Sequence, residues 1–125
     1  MNSDETTFTK VEEINGIQVV RFHDLMYPGL HNGKSALLAS ELASIAEQDP
    51  RGVVLDFESR YFIPSATILT VFVRFHRKLD EKLRMCNLPN AVREHLHRNR
   101  LAEIFRIHST LEEAIADFSD DVAQG

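Results

Sequence analysis

The sequence predicts an α/β domain, with a mixed sheet that opens on a β-hairpin and about four helices packed against it. Three observations predict it. Asn15-Gly16 lies between two stretches that can alternate, Phe8 to Ile14 and Ile17 to Phe22. Both turn residues tolerate the positive φ of a type I′ hairpin. "GVVLDF" (Gly52 to Phe57) is a nearly continuous apolar run, the pattern of a central strand covered by helices. From Lys34 onward, stretches of helical period alternate with short apolar runs, as in successive strand-helix units.

The bulk numbers fit one domain. The chain has 125 residues, 43% of them hydrophobic and 26% charged. Its net charge of −5 argues against nucleic acid or an anionic membrane surface as the main partner. A single cysteine, Cys86, rules out an internal disulfide framework and suits a reducing compartment. "MNSDETTFTK" holds no apolar run, so no secretory signal is visible, and no window approaches a membrane span. The expectation is one cytoplasmic domain over 1–125, with its core at about 7–118 and frayed ends at 1–6 and 119–125.

The elements follow in order. After the hairpin, "HDLMYPGLHNG" (His23 to Gly33) is a loop punctuated by Pro28, Gly29 and Gly33. "KSALLASELASIAEQ" (Lys34 to Gln48) places Leu38, Leu42 and Ile45 at helical spacing, and Asp49-Pro50 stops it. The strand at Gly52 to Phe57 resumes as a strand end at Tyr61 to Ile63, and a helix then runs to about Leu79. "KLRMCNL" (Lys82 to Leu88) reads as a strand, and Pro89 begins a helix to about Arg98 with Val92 and Leu96 on its stripe. A last short strand lies around Phe105 to Ile107. Ser109 or Thr110 caps the final helix; with Ser109 as cap, Glu112 completes a capping box.

The helix after Ile63 is apolar over much of its circumference. Leu69, Phe72, Val73 and His76 form one stripe, and Ile68, Val71 and Phe75 form another. A surface helix needs one such stripe. The second is either more core or a contact for a partner or a second copy.

Two segments carry a family resemblance: "GVVLDFESRYFIPSATILTVFVRFHRKL" and "LPNAVREHLHRNRLAEIFRIHSTLEEAIADF". With the element order, they resemble the STAS domain, the module of bacterial anti-sigma factor antagonists and of related transporter and stress-signalling proteins. The likeness covers about Gly16 to Phe118. The family commonly writes an apolar strand ending in Leu-Asp, then Phe-Ile-Asp-Ser-Ser-Gly, then an apolar helix. Val54, Leu55, Asp56, Phe62, Ile63 and Ser65 match that pattern, as do Leu101, Phe105, Glu112, Glu113 and Ala114 later. The signature itself departs: Asp-Ser-Ser-Gly reads here Pro64-Ser65-Ala66-Thr67. In the family a partner kinase phosphorylates the second serine, and the matching position is Ala66, which has no hydroxyl.

The junction matters on physical grounds too. A helix starting there presents unpaired N–H groups and a positive dipole end, which attract a partner's carboxylate or phosphate. Pro64 suits the first helical position and Ser65 suits the N-cap; both assignments stand open. Ser65 is either a plain structural cap or, with Thr67, a substitute phosphorylation site.

Other motifs carry less. "GLHNGKS" (Gly29 to Ser35) imitates a phosphate-binding loop but is one residue short between its glycines. His95 and His97 fall on different sides of a helix, His23, His31, His76 and His108 are scattered, and no metal site is expected. Asp56 is expected to tie down the following loop through backbone N–H groups. No nucleophile, base and orienting group assemble, so no catalytic residue and no cofactor are expected.

The resemblance implies a non-catalytic, anti-sigma factor antagonist-like regulator. Its partner would be an anti-sigma factor or switch-protein kinase, or another STAS protein, with a homodimer also open. The expected contact surface is His31, Asn32, Gly33 and Lys34 together with Pro64, Ser65, Ala66, Thr67, Ile68 and Val71. Two other functions remain open at this stage: an accessory subunit of a membrane transporter, and a small-ligand or nucleotide sensor using Lys34.

Overall fold

The computed structural model describes residues 8–27, 30 and 34–124. The chain opens with β1 (Thr9–Ile14) and β2 (Ile17–Phe22), paired antiparallel with Ile14 opposite Ile17. Asn15 and Gly16 have φ of 53° and 81°, as the type I′ turn requires. Then come α1 (Lys34–Glu47), β3 (Val53–Asp56), α2 (Ala66–Leu79), β4 (Leu83–Cys86), α3 (Asn90–Arg98), β5 (Arg106–His108) and α4 (Leu111–Gln124). Short 3₁₀ turns occupy Asp24–Met26 and Leu101–Glu103.

The five strands stand in chain order, β1-β2-β3-β4-β5, and every pair after the hairpin is parallel. That order fixes the layers. Three parallel crossovers stepping the same way across a sheet, each right-handed, place their helices on one face. The core divides accordingly. Val20, Phe22, Val53, Leu55, Leu83 and Met85 pack with residues of α1, α2 and α3. The alternate residues Ile17, Val54 and Cys86 pack with Ala114 and Phe118 of α4 on the other face. Gly52 lets α4 come close, since a Cβ there would lie 2.6 Å from the Phe118 ring.

Several expectations shift in detail. The strand ends at Asp56 and does not resume: Tyr61 is 66% and Ile63 52% exposed, while Phe62 between them is fully buried. Alternation there marks a loop anchored by Phe62, which packs near the rings of Tyr27 and Phe57. Phe105 turns into the core just before β5, which begins at Arg106. The cap of α4 is Thr110, whose Oγ1 accepts from Glu113 N at 3.2 Å, while the Glu113 side chain accepts from Ser109 N at 3.3 Å. Thr110 with Glu113 thus takes the place of Ser109 with Glu112, the carboxylate reaching the N–H of the residue before the cap. Helix α4 continues past Phe118 to Gln124. The expectation for 1–6 lies outside the described residues. Among the described residues no helix is long and apolar enough to cross a membrane.

Candidate functional site at the tip of helix α2

The segment between β3 and α2 is held from several sides. Asp56 is 3% exposed, and its Oδ1 accepts from Glu58 N at 2.9 Å and from Asn87 Nδ2 at 3.0 Å. Its Oδ2 accepts from Arg21 Nε at 3.1 Å. Arg21 also meets Glu12 at 2.7 Å. Glu58 and Ser59 both take left-handed φ, 56° and 59°, so the chain reverses in one tight step. Ser59 N then donates to Asn87 O at 2.8 Å, which ties the loop to the end of β4. Sequence reasoning foresaw the Asp56-to-backbone tie but not Arg21 or Asn87, which lie 35 and 31 residues away.

Arg60 extends the frame. Its guanidinium lies 3.9 Å over the Tyr27 ring and ion-pairs with Asp24 at 3.0 Å. The Tyr27 hydroxyl donates to Phe57 O at 3.3 Å. Burial pushes that hydroxyl far above its ordinary pKa, so it stays a donor. The loop after β2 is therefore tied to the loop after β3.

On this frame stands the start of α2. Ser65 is the N-cap: its φ and ψ of −114° and 164° are extended, and Oγ accepts from Ile68 N at 3.1 Å. This settles the open choice against Pro64 as first helical residue; Pro64 precedes the cap and is buried. Ser65, Ala66 and Thr67 are exposed, and the first turn holds no acidic side chain. The positive dipole end of α2 thus lies at an exposed turn, where Ser65 Oγ satisfies the Ile68 N–H.

The expected surface is only partly assembled. His31, Asn32 and Gly33 lie outside the described residues. Lys34 is exposed at the start of α1, and the next residue, Ser35, lines a surface groove of about 640 Å³ together with Thr67 and Thr70. The starts of α1 and α2 therefore flank one depression. Ile68 and Val71, at 1% and 9% exposed, pack in the main core with Phe75, and Val71 also lines the larger groove. The second apolar stripe of α2 is covered within the chain, on the side where α1 packs. What α2 does expose is the ridge Ala66, Thr70 and Arg74, with a second groove of about 510 Å³ on its far side, toward Asn99 and Leu101. Sequence reasoning missed Tyr61 and Ile63 as exposed apolar neighbours of the tip, having assigned them to a strand.

Among the described residues no three of His, Cys, Asp or Glu gather as metal ligands. Burial, with Asp56 nearby, pushes the Cys86 thiol far above its ordinary pKa and leaves it protonated and unreactive.

Comparison with known proteins agrees with this layout. The STAS domain family model matches residues 9–114. No curated relative matches the chain. An anti-sigma factor antagonist from Mycobacterium paratuberculosis superposes with a TM-score of 0.75 at 21% identity, over 94% of this chain and 97% of that one. A STAS domain protein from Planctomyces limnophilus gives 0.76 at 20% identity, covering 89% and 97%. A chain of the stressosome, a signal integration and transduction hub, gives 0.70 at 14% identity, covering 90% and 98%. These likenesses establish a shared fold, and the family model, matching most of the length, establishes that the chain belongs to the STAS domain family.

Proposed function

We propose that this chain is a non-catalytic interaction module that docks a switch-protein kinase or another STAS protein through the tip of α2. It would act by competition, as an anti-sigma factor antagonist does: occupying the partner releases what that partner held. The observation that carries the reading is the exposed turn Ser65, Ala66 and Thr67, capped and held by the Asp56 frame. A rigid, solvent-facing helix start costs little to order on binding. Tyr61 and Ile63 supply apolar area beside it.

Ala66 stands where the family's phospho-acceptor serine is expected, so the docking state is not switched at that position. Incubation with a cognate kinase and ATP, followed by mass spectrometry, tests this. No stoichiometric phosphate is expected; full occupancy on Ser65 or Thr67 would refute the unswitched reading. Affinity capture from the native organism tests the docking. A partner kinase or STAS protein that Thr67→Arg or Tyr61→Ala fails to retain is expected. Capture unaffected by either change would place the contact elsewhere.

A further inference from the structure

Helix α2 carries no negative charge. The chain as a whole has a net charge of −5, yet α2 holds Arg74, Arg77 and Lys78 and not one Asp or Glu. All three cations are exposed, and none forms an ion pair with a described residue. Arg77 and Lys78 stand in the last turn, where they offset the negative dipole end. Arg74 stands a turn earlier, and the dipole does not account for it.

The groove between α1 and α2 gives Arg74 and Lys78 a common setting. Both line it, one turn apart on the α2 side. Its floor is apolar, formed by the buried Leu42, Val71 and Phe75. Ala36, Ala39 and Ala43 wall it from α1, so it stays open where longer side chains would close it. Among the described residues that line it, none is acidic. Two cations thus border an apolar trough that supplies no counter-charge of its own. Along α2 the lining runs from Thr67 to Lys78, roughly 16 Å at 1.5 Å per residue. That is the length of three helical turns, and a third helix laid between two others packs by the same ridges and grooves. Nucleic acid rewards clustered cations but has no use for an alanine-walled trough.

We propose that the α1–α2 groove receives an acidic amphipathic helix of a partner protein. Its apolar side chains lie over Val71 and the alanines of α1, and two of its carboxylates, one turn apart, meet Arg74 and Lys78. This rests on the reading that α2 docks a partner, and it adds what that partner presents. Apolar contact holds the helix, while the exposed ion pairs select its charge and fix its register.

A phage-displayed library of helical peptides of roughly 20 residues, randomised at surface positions, tests it with the full chain as bait. Enriched peptides are expected to carry Asp or Glu in pairs one turn apart, beside an apolar stripe. A selected peptide, labelled and followed by fluorescence anisotropy, is expected to bind about tenfold more weakly to Arg74→Glu with Lys78→Glu. Ser40→Trp fills the groove without changing its charge and is expected to abolish binding. All three positions are exposed, and circular dichroism checks that both variants fold. No enrichment, enrichment without the acidic pair, or binding that neither variant weakens overturns the proposal. Tighter binding to a DNA duplex than to any selected peptide would assign the cations to nucleic acid and overturn it equally. Tyr61 does not line the groove, which separates this proposal from the tip reading. Native capture lost with Tyr61→Ala but kept by Arg74→Glu with Lys78→Glu would leave the tip reading standing and remove the acidic helix. Capture indifferent to Tyr61→Ala but lost on charge reversal would move the docking from the tip to the groove.

Discussion

Asp56 and Asn87 join the ends of two neighbouring strands: the Asn87 Nδ2 donates to Asp56 Oδ1 at 3.0 Å. The same oxygen accepts from Glu58 N, and the other from Arg21 Nε. One carboxylate therefore fixes β2, β4 and the loop that delivers α2. Replacing it by alanine leaves the Asn87 amide and Glu58 N–H without this acceptor. Arg21 keeps Glu12. Asp56→Ala is expected to cost about 2–3 kcal/mol in urea denaturation. Asp56→Asn, which keeps one acceptor oxygen, is expected to cost less. Equal losses in the two variants would show that the carboxylate's hydrogen bonds do not set the loop.

Gly52 illustrates a different constraint, set by packing. A methyl group there meets the Phe118 ring at 2.6 Å, so α4 has to move outward. Gly52→Ala is expected to destabilise by about 1–3 kcal/mol, as overpacking does. Adding Phe118→Leu to Gly52→Ala is expected to lose less than the sum of the two single changes, because the clash disappears. Additive losses would show that the ring is not what Gly52 accommodates.

The parts legible in the sequence are those written locally. Asn15-Gly16 encodes its turn in two residues, and the Gly52 to Phe57 run encodes a central strand covered by helices on at least one face. Partners far along the chain were not legible. Ile68 and Val71 read as either more core or a partner contact, because nothing in α2 itself says that α1 covers them. Arg84 looked like an ordinary strand residue, yet it is 2% exposed, ion-paired with Asp117 and 4.3 Å over the Phe118 ring. Tyr61, Phe62 and Ile63 imitate a strand because a loop with one buried anchor alternates just as a strand does. The sequence leaves Ser109 and Thr110 both open as the α4 cap because Ser109-Thr110 and Glu112-Glu113 satisfy the same spacing in two frames.

Ser65 separates structural from regulatory roles at the tip. Its hydroxyl accepts from Ile68 N, so Ser65→Ala is expected to cost about 1 kcal/mol, read as a lowered thermal midpoint. Ser65→Asp retains a cap oxygen and adds charge at the positive end of the dipole, so its stability is expected to match or exceed the wild type. If Ser65→Ala leaves the midpoint unchanged, the cap carries no weight in α2.

Two groups on different helices give stability two separate acid windows. Burial lowers the His76 pKa below its ordinary 6.5, with Arg77 and Arg84 adding to the effect and Glu81 opposing it. Its Nδ1 is buried without a hydrogen-bond partner, and its ring meets Phe105 at 5.3 Å. Above pH 6.5 both folded and unfolded chains hold His76 neutral. As pH falls below that value the unfolded chain takes the proton first, so stability drops and levels off once the folded histidine titrates. Asp117 acts lower. Burial works to raise its pKa, but hydrogen bonds from Arg84 and His108, with the charges of Arg84 and Arg106, outweigh it and hold it below 3.8. Its contribution is complete above 3.8 and is lost as pH falls through the folded value. Urea midpoints measured from roughly pH 8 to pH 3 are expected to fall in two steps. His76→Phe, which keeps a ring against Phe105, is expected to flatten the upper step alone, and Asp117→Asn the lower step alone. An upper step of equal size in the wild type and His76→Phe would assign that proton to another group.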